Sequence, residues 1–181
     1  VANAFMLFAA VITCGVASVM YLRRHQGRHD DVARAAAELA VLFGAVALVS
    51  GSIWGKAAWG IWWDWDARQT TTLLLWMTMI GYVLVRQYGG PGSERMAAGL
   101  GVFAIVNVPL VYFSVKIWRT LHPQTSVVPG LQGPMRVAMW SSVALFALFY
   151  VLMLIARTRV AQGERRLAEL REQALDAGVI E

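Results

Sequence analysis

The stretch VANAFMLFAAVITCGVASVMYL, from Val1 to Leu22, contains no Asp, Glu, Lys or Arg. Wound into a helix rising 1.5 Å per residue, it is long enough to cross a hydrocarbon core about 30 Å thick. Four further charge-free runs follow: Leu39–Ile53, Gln69–Val85, Met96–Val115 and Val137–Ala156. The second is the shortest, but Ala35–Ala37 extends it, with Glu38 near a helix end or facing other helices. The chain is 58% hydrophobic and 15% charged, and its charges are confined to the breaks between these runs. A soluble domain would spread them. The expectation is an all-α polytopic membrane helix bundle with five spans.

A formal net charge of +5 raises the question of nucleic acid, which the sidedness of the basic residues answers differently. Arg23, Arg24, Arg28, Arg34, Arg86, Arg95, Arg157, Arg159, Arg165, Arg166 and Arg171 fall on one side of the expected spans, and Lys56, Arg68, Lys116, Arg119 and Arg136 on the other. The richer side is assigned to the cytoplasm, so the second and fourth connections face outward and no nucleic-acid partner is expected. The N-terminus then lies outside. Because Val1 opens directly into an apolar run, an upstream segment is expected to precede it, a cleaved signal peptide being the alternative. Residues 1–156 read as a membrane domain and 157–181 as a basic cytoplasmic tail. There, Leu167, Leu170 and Ala174 at helical spacing suit a solvated helix end or an amphipathic helix. The lone Cys14 excludes an internal disulfide, a CxxC pair and a CxxCH haem-attachment site. The turn from Tyr88 to Ser93 reads as a plain cytoplasmic connection.

The outward connection, residues 50–70, reads SGSIWGKAAWGIWWDWDARQT and holds Trp54, Trp59, Trp62, Trp63 and Trp65, five of the eight tryptophans. An interfacial aromatic belt is the simplest explanation, but a belt distributes its rings over all helix ends. Trp59, Trp62 and Trp63 stand at i, i+3 and i+4, so a short interfacial helix is expected to show them on one face, with Gly55 and Gly60 permitting close approach. Such a face suits a flat aromatic ligand, and porphyrin matches its size. The propionates of a porphyrin need cations, for which Lys56, Arg68, Lys116 and Arg119 are the outward candidates. The competing reading pairs Asp64 and Asp66 with Lys56 and Arg68 as structural bridges. Haem iron commonly takes an imidazole. Of the three histidines, His25 and His29 lie in the arginine-rich connection, whereas His122 lies in the other outward connection, a surface residue or a ligand.

Trp54-Gly55, then Trp59-Gly60-Ile61-Trp62-Trp63-Asp64-Trp65-Asp66, resembles the tryptophan-rich WWD signature of haem-handling membrane proteins. The continuation Ala67-Arg68-Gln69-Thr70 resembles the CcmC type, the cytochrome c maturation haem exporter protein C family, rather than the CcmF or CcsA types, which continue with proline. Asn107, Pro109, Tyr112, Ser114, Trp118 and His122 match the helix and loop that carry a haem-ligating histidine in that family. The resemblance implies that the WWD loop, with Trp54, Lys56, Trp59, Trp62, Trp63, Trp65, Asp66 and Arg68, contacts haem b, and that His122 is an axial ligand. It further implies six spans, the first missing here, and a second histidine ligand upstream of this chain. The implied setting is the bacterial inner membrane with the WWD loop periplasmic, among membrane lipid. The implied role is presentation of haem to the haem chaperone CcmE, beside the ABC transporter pair CcmA and CcmB and the small protein CcmD.

This is handling rather than ordinary enzymatic turnover, and no GxxxxGK[ST] loop for ATP is present in the sequence. The rivals are a haem lyase of the CcmF or CcsA type, a cytochrome b-type subunit, which would place histidines inside its spans, and a haem-free structural or transport subunit. In the last, Asn107 and Pro109 would mark a helix contact or kink.

Overall fold

The computed structural model describes residues 1–122 and 130–178. Among them run five long helices and no strand: α1 (Ala2–Arg24), α2 (Gly27–Trp59), α3 (Ala67–Tyr88), α4 (Ser93–Ile117) and α5 (Gly133–Asp176). Four of them, α1, α2, α4 and α5, are long and apolar enough to cross a membrane. The other, α3, has 22 residues and therefore about the same reach, about 33 Å, but is more polar. Three of its four threonines bond within the helix: Thr71, Thr72 and Thr78 donate to the carbonyls of Ala67, Arg68 and Leu74. The expected all-helical multi-span architecture is present, and the chain is a multi-pass membrane protein.

Small residues set how closely the helices approach. Ala10, Cys14 and Ala17 of α1, Ala33, Ala36, Ala37 and Ala40 of α2, and Ala97 and Ala104 of α4 are buried in one core with Leu7, Val11, Leu75, Met79 and Tyr82. Where α1 crosses α4, a Cβ on Gly15 would sit 2.6 Å from Ile105 Cβ and 3.0 Å from the Gly101 carbonyl oxygen, so only glycine fits. Gly44 similarly makes room for Trp76, whose indole Nε1 donates to the Val41 carbonyl at 2.8 Å and ties α3 to α2. Pro109 lies inside α4, which continues through it, and Asn107 donates to the Phe103 carbonyl of its own helix.

The helices overrun the apolar runs because their charged ends are paired. The α2 helix begins at Gly27, ahead of Asp30, Asp31 and Glu38. Arg86 of α3 reaches Asp30 at 2.6 Å and Glu94 of α4 at 3.2 Å. Arg165 reaches Asp31 at 3.0 Å, Arg34 reaches Glu164 at 2.8 Å, and Arg157 holds Glu38 through two guanidinium hydrogen bonds. Asp30 and Asp31 are only 5% and 3% exposed, so these pairs replace lost hydration. Glu38, expected near a helix end or against other helices, takes the second option. The tail departs from a freely solvated helix end: residues 157–165 continue α5 without a break and are clamped on α2, while Leu167 and Leu170 beyond are exposed.

Candidate functional site: a tryptophan cluster around His122

The site begins where α2 ends. The helix continues through Trp59 and stops at Gly60, whose left-handed backbone (φ 78°) few other residues adopt and whose N–H donates to the Lys56 carbonyl. Lys56 Nζ in turn donates to the Gly60 carbonyl at 2.8 Å. Trp54 and Trp59 therefore ride on the last turns of a rigid helix, their rings edge to face with centroids 4.7 Å apart. Six irregular residues later, Asp66 starts α3 by accepting from the Arg68 N–H through its side chain at 3.2 Å, an N-cap. Between them, Gln69 Oε1 reaches back to the Asp64 N–H at 3.2 Å and folds the connection onto α3.

The fourth connection brings His122 to this cluster. After α4 ends, the backbone N–H of His122 donates to Thr120 Oγ1 at 3.0 Å, and the imidazole centroid lies 6.1 Å from that of Trp59 and 6.5 Å from that of Trp54. The ring is half-buried, and burial chiefly, then repulsion from Arg68, holds its pKa below the ordinary value, with Asp66 opposing. Both effects favour the neutral imidazole over its charged form, and no hydrogen bond between described residues engages its nitrogens. A neutral imidazole with an available lone pair is the form that ligates metals.

One space adjoins the ring and a larger one lies beside it. His122 lines a gap of only about 10 Å³ with Trp59, Ile61, Asp64, Asp66, Gln69 and Leu121, near the one-water limit. Beyond it, sharing Asp64, Asp66 and Leu121, opens a cleft of about 640 Å³ whose other walls include Trp65, Thr70, Trp118 and Arg119. That volume is in the range of small-molecule sites.

The expected short interfacial helix carrying Trp59, Trp62 and Trp63 is absent. Trp59 closes α2, while Trp62 and Trp63 lie in the irregular segment after the left-handed Gly60, which ends the helical register. The rings form two groups instead, Trp54 with Trp59 and His122, and Trp63 with Trp65 at 5.7 Å. Trp62 is 59% exposed. The proposed bridges from Asp64 and Asp66 to Lys56 and Arg68 do not form either: among the described residues neither carboxylate makes an ion pair, and Lys56 is occupied with the Gly60 carbonyl. Of the outward cations, Arg119 lines the cleft and Lys116 lies over the Phe113 ring at 5.6 Å. Gln69, Leu121 and Thr120 belong to the site and carry no signal in the sequence, since their roles arise only from how the two connections meet.

An all-helical multi-span bundle that gathers indoles and one imidazole at a single end defines a class, the polytopic membrane proteins with an aromatic cluster where two connections meet. Residues 1–173 match the family model described as "CcmC: Heme exporter protein C", and the chain belongs to that family. It is 34% identical over 165 residues to the Heme exporter protein C of Bradyrhizobium diazoefficiens, covering 86% of this chain and 63% of that protein. The corresponding figures are 35% over 152 residues, 80% and 61%, for the Escherichia coli K12 protein of that name. For that of Paracoccus denitrificans they are 32% over 166 residues, 86% and 67%. The chain thus spans slightly under two thirds of the length of the first two relatives.

Proposed function

We propose that this protein binds haem b at its tryptophan-rich end, with His122 as an axial ligand, and presents it to the haem chaperone CcmE during c-type cytochrome biogenesis. The observation that carries this reading is the meeting of His122 with Trp54 and Trp59, residues more than sixty positions apart, beside a cleft of about 640 Å³. Iron-porphyrin supplies a Lewis-acidic metal, a large aromatic face and two carboxylates. The imidazole suits the first, the indoles the second, and Arg68 and Arg119 suit the third. Asp66 acts as a positioning residue by capping α3 and so fixing Arg68 relative to His122. In this reading the site faces the periplasm of a bacterial inner membrane, and CcmA, CcmB and CcmD are its neighbours.

Absorption spectra of detergent-purified protein, oxidised and reduced, test the assignment. The unaltered protein shows a haem Soret band, His122→Ala loses or shifts it with helix content unchanged, and CcmE co-purifies with the haem-loaded form. A spectrum and haem content unaffected by His122→Ala overturn the ligand; absence of haem after supply of excess haem overturns the function.

A further inference from the structure

At the opposite end of the bundle the charges do not balance. Every carboxylate near the helix ends there is already held: Asp30 and Glu94 by Arg86, Asp31 by Arg165, and Glu38 and Glu164 by Arg34 and Arg157. Arg23 and Arg24 at the end of α1, Arg28 at the start of α2, Arg95 at the start of α4 and Arg159 on α5 make no ion pair among the described residues, and all five are exposed. They belong to one end of the molecule. A two-residue link joins Arg24 to α2, Arg86 ties the starts of α2 and α4 together through Asp30 and Glu94, and Arg159 lies between Arg157 and Arg165, which hold Glu38 and Asp31 of α2. Glu172 and Asp176, which make no ion pair among the described residues, stand about 20 Å or more further along α5 from Arg159.

The neighbours of these arginines identify the partner. Leu22 beside Arg23, Met96 beside Arg95 and Val160 beside Arg159 are large apolar residues left 37%, 58% and 52% exposed, and Tyr88 at the same end is 75% exposed. A ligand that satisfies a guanidinium and covers the adjacent aliphatic side chain needs a phosphate and a hydrocarbon chain in one molecule. A free inorganic anion offers only the first, and at the ends of helices long and apolar enough to cross a membrane the bilayer itself offers both.

We infer that these five arginines form a binding collar for anionic phospholipids, whose phosphates supply the counter-charge that the protein lacks at this end. The collar is independent of haem and of which side of the membrane it faces. Each arginine near an anionic bilayer surface contributes roughly a fivefold preference at most, so together they retain anionic lipid in the first shell.

The test reconstitutes the full chain in phosphatidylcholine bilayers and measures, by electron paramagnetic resonance, the immobilised fraction of spin-labelled phosphatidylglycerol against spin-labelled phosphatidylcholine. The expected result is a preference for phosphatidylglycerol of about threefold or more. It falls toward unity in Arg23→Gln/Arg24→Gln/Arg28→Gln and, independently, in Arg95→Gln/Arg159→Gln, and it persists in Arg166→Gln/Arg171→Gln on the distal tail. Circular dichroism confirms that each variant keeps its helix content; the two collar variants share no residue, so misfolding of one leaves the other to decide. Equal association of the two lipids, or a preference untouched in the folded collar variants, overturns the collar. Loss of the preference in millimolar inorganic phosphate, but not in chloride of equal ionic strength, would assign the arginines to a free anion and overturn it as well.

Discussion

At His122 the chemistry of a single ring is set by three neighbours. Burial and Arg68 lower its pKa below 6.5, and Asp66 pulls the other way. A proton competes with iron for the same lone pair, so a lowered pKa moves that competition to more acidic pH. Haem occupancy, read from the Soret band in a pH titration, should therefore stay flat from pH 8 to about 6.5 and decline only below that. Arg68→Gln should move the midpoint up and Asp66→Asn should move it down; a midpoint unmoved by both charges would separate His122 from the titrating group. The sequence already put His122 and the tryptophans at the same end of the spans, because the second and fourth connections fall on one side, and the rings do meet there. It did not reveal which indoles meet the imidazole. Helical spacing favoured Trp59, Trp62 and Trp63, but Gly60 breaks the register, and the ring that joins Trp59 is Trp54, five positions back on α2.

Helix ends and helix crossings decide the next level. Asp66→Ala removes the N-cap of α3, at a cost of about 1 kcal/mol, visible as a lower midpoint of thermal unfolding in detergent. Glycines that look alike in the sequence should behave in opposite ways. Gly15→Ala drives a methyl into Ile105 and the Gly101 carbonyl, costing about 1–3 kcal/mol. Gly99→Ala on α4 has nothing within 4 Å of the new Cβ and gains helix propensity, raising the midpoint by the equivalent of about 0.5–1 kcal/mol. Equal responses of the two would contradict the close crossing of α1 and α4. The number and order of the helices were legible because each contains a charge-free run. Their limits were not: α2 starts twelve positions before Leu39 and α5 ends twenty beyond Ala156. Charges normally end a span, and only the cross-helix partners Arg86, Arg157 and Arg165 allow Asp30, Glu38 and Asp31 to lie along one.

Across the whole molecule the two ends are held differently. One is gathered by aromatic rings and an imidazole, the other by ion pairs whose members come from four helices. In the most buried of these, Arg86 with Asp30, the side chains are 13% and 7% exposed. Asp30→Asn leaves the buried Arg86 with Glu94 as its one remaining ion-pair partner, so it should cost about 1–3 kcal/mol. Glu169→Gln, in a pair whose side chains are 41% and 53% exposed, should cost less than about 1 kcal/mol. Both are read from thermal unfolding of the reconstituted protein, and similar losses would mean that solvent reaches the inner pair. The same α2 helix carries Asp31 at one end and Trp59 at the other, about 42 Å apart along a single uninterrupted run of backbone hydrogen bonds. A rod of that kind resists compression far more than it resists sliding. If Arg165 and Arg157 shift their hold on Asp31 and Glu38, the movement arrives at Trp54 and Trp59 as an axial displacement of nearly the same size, and α2 works as a strut between the two faces of the membrane.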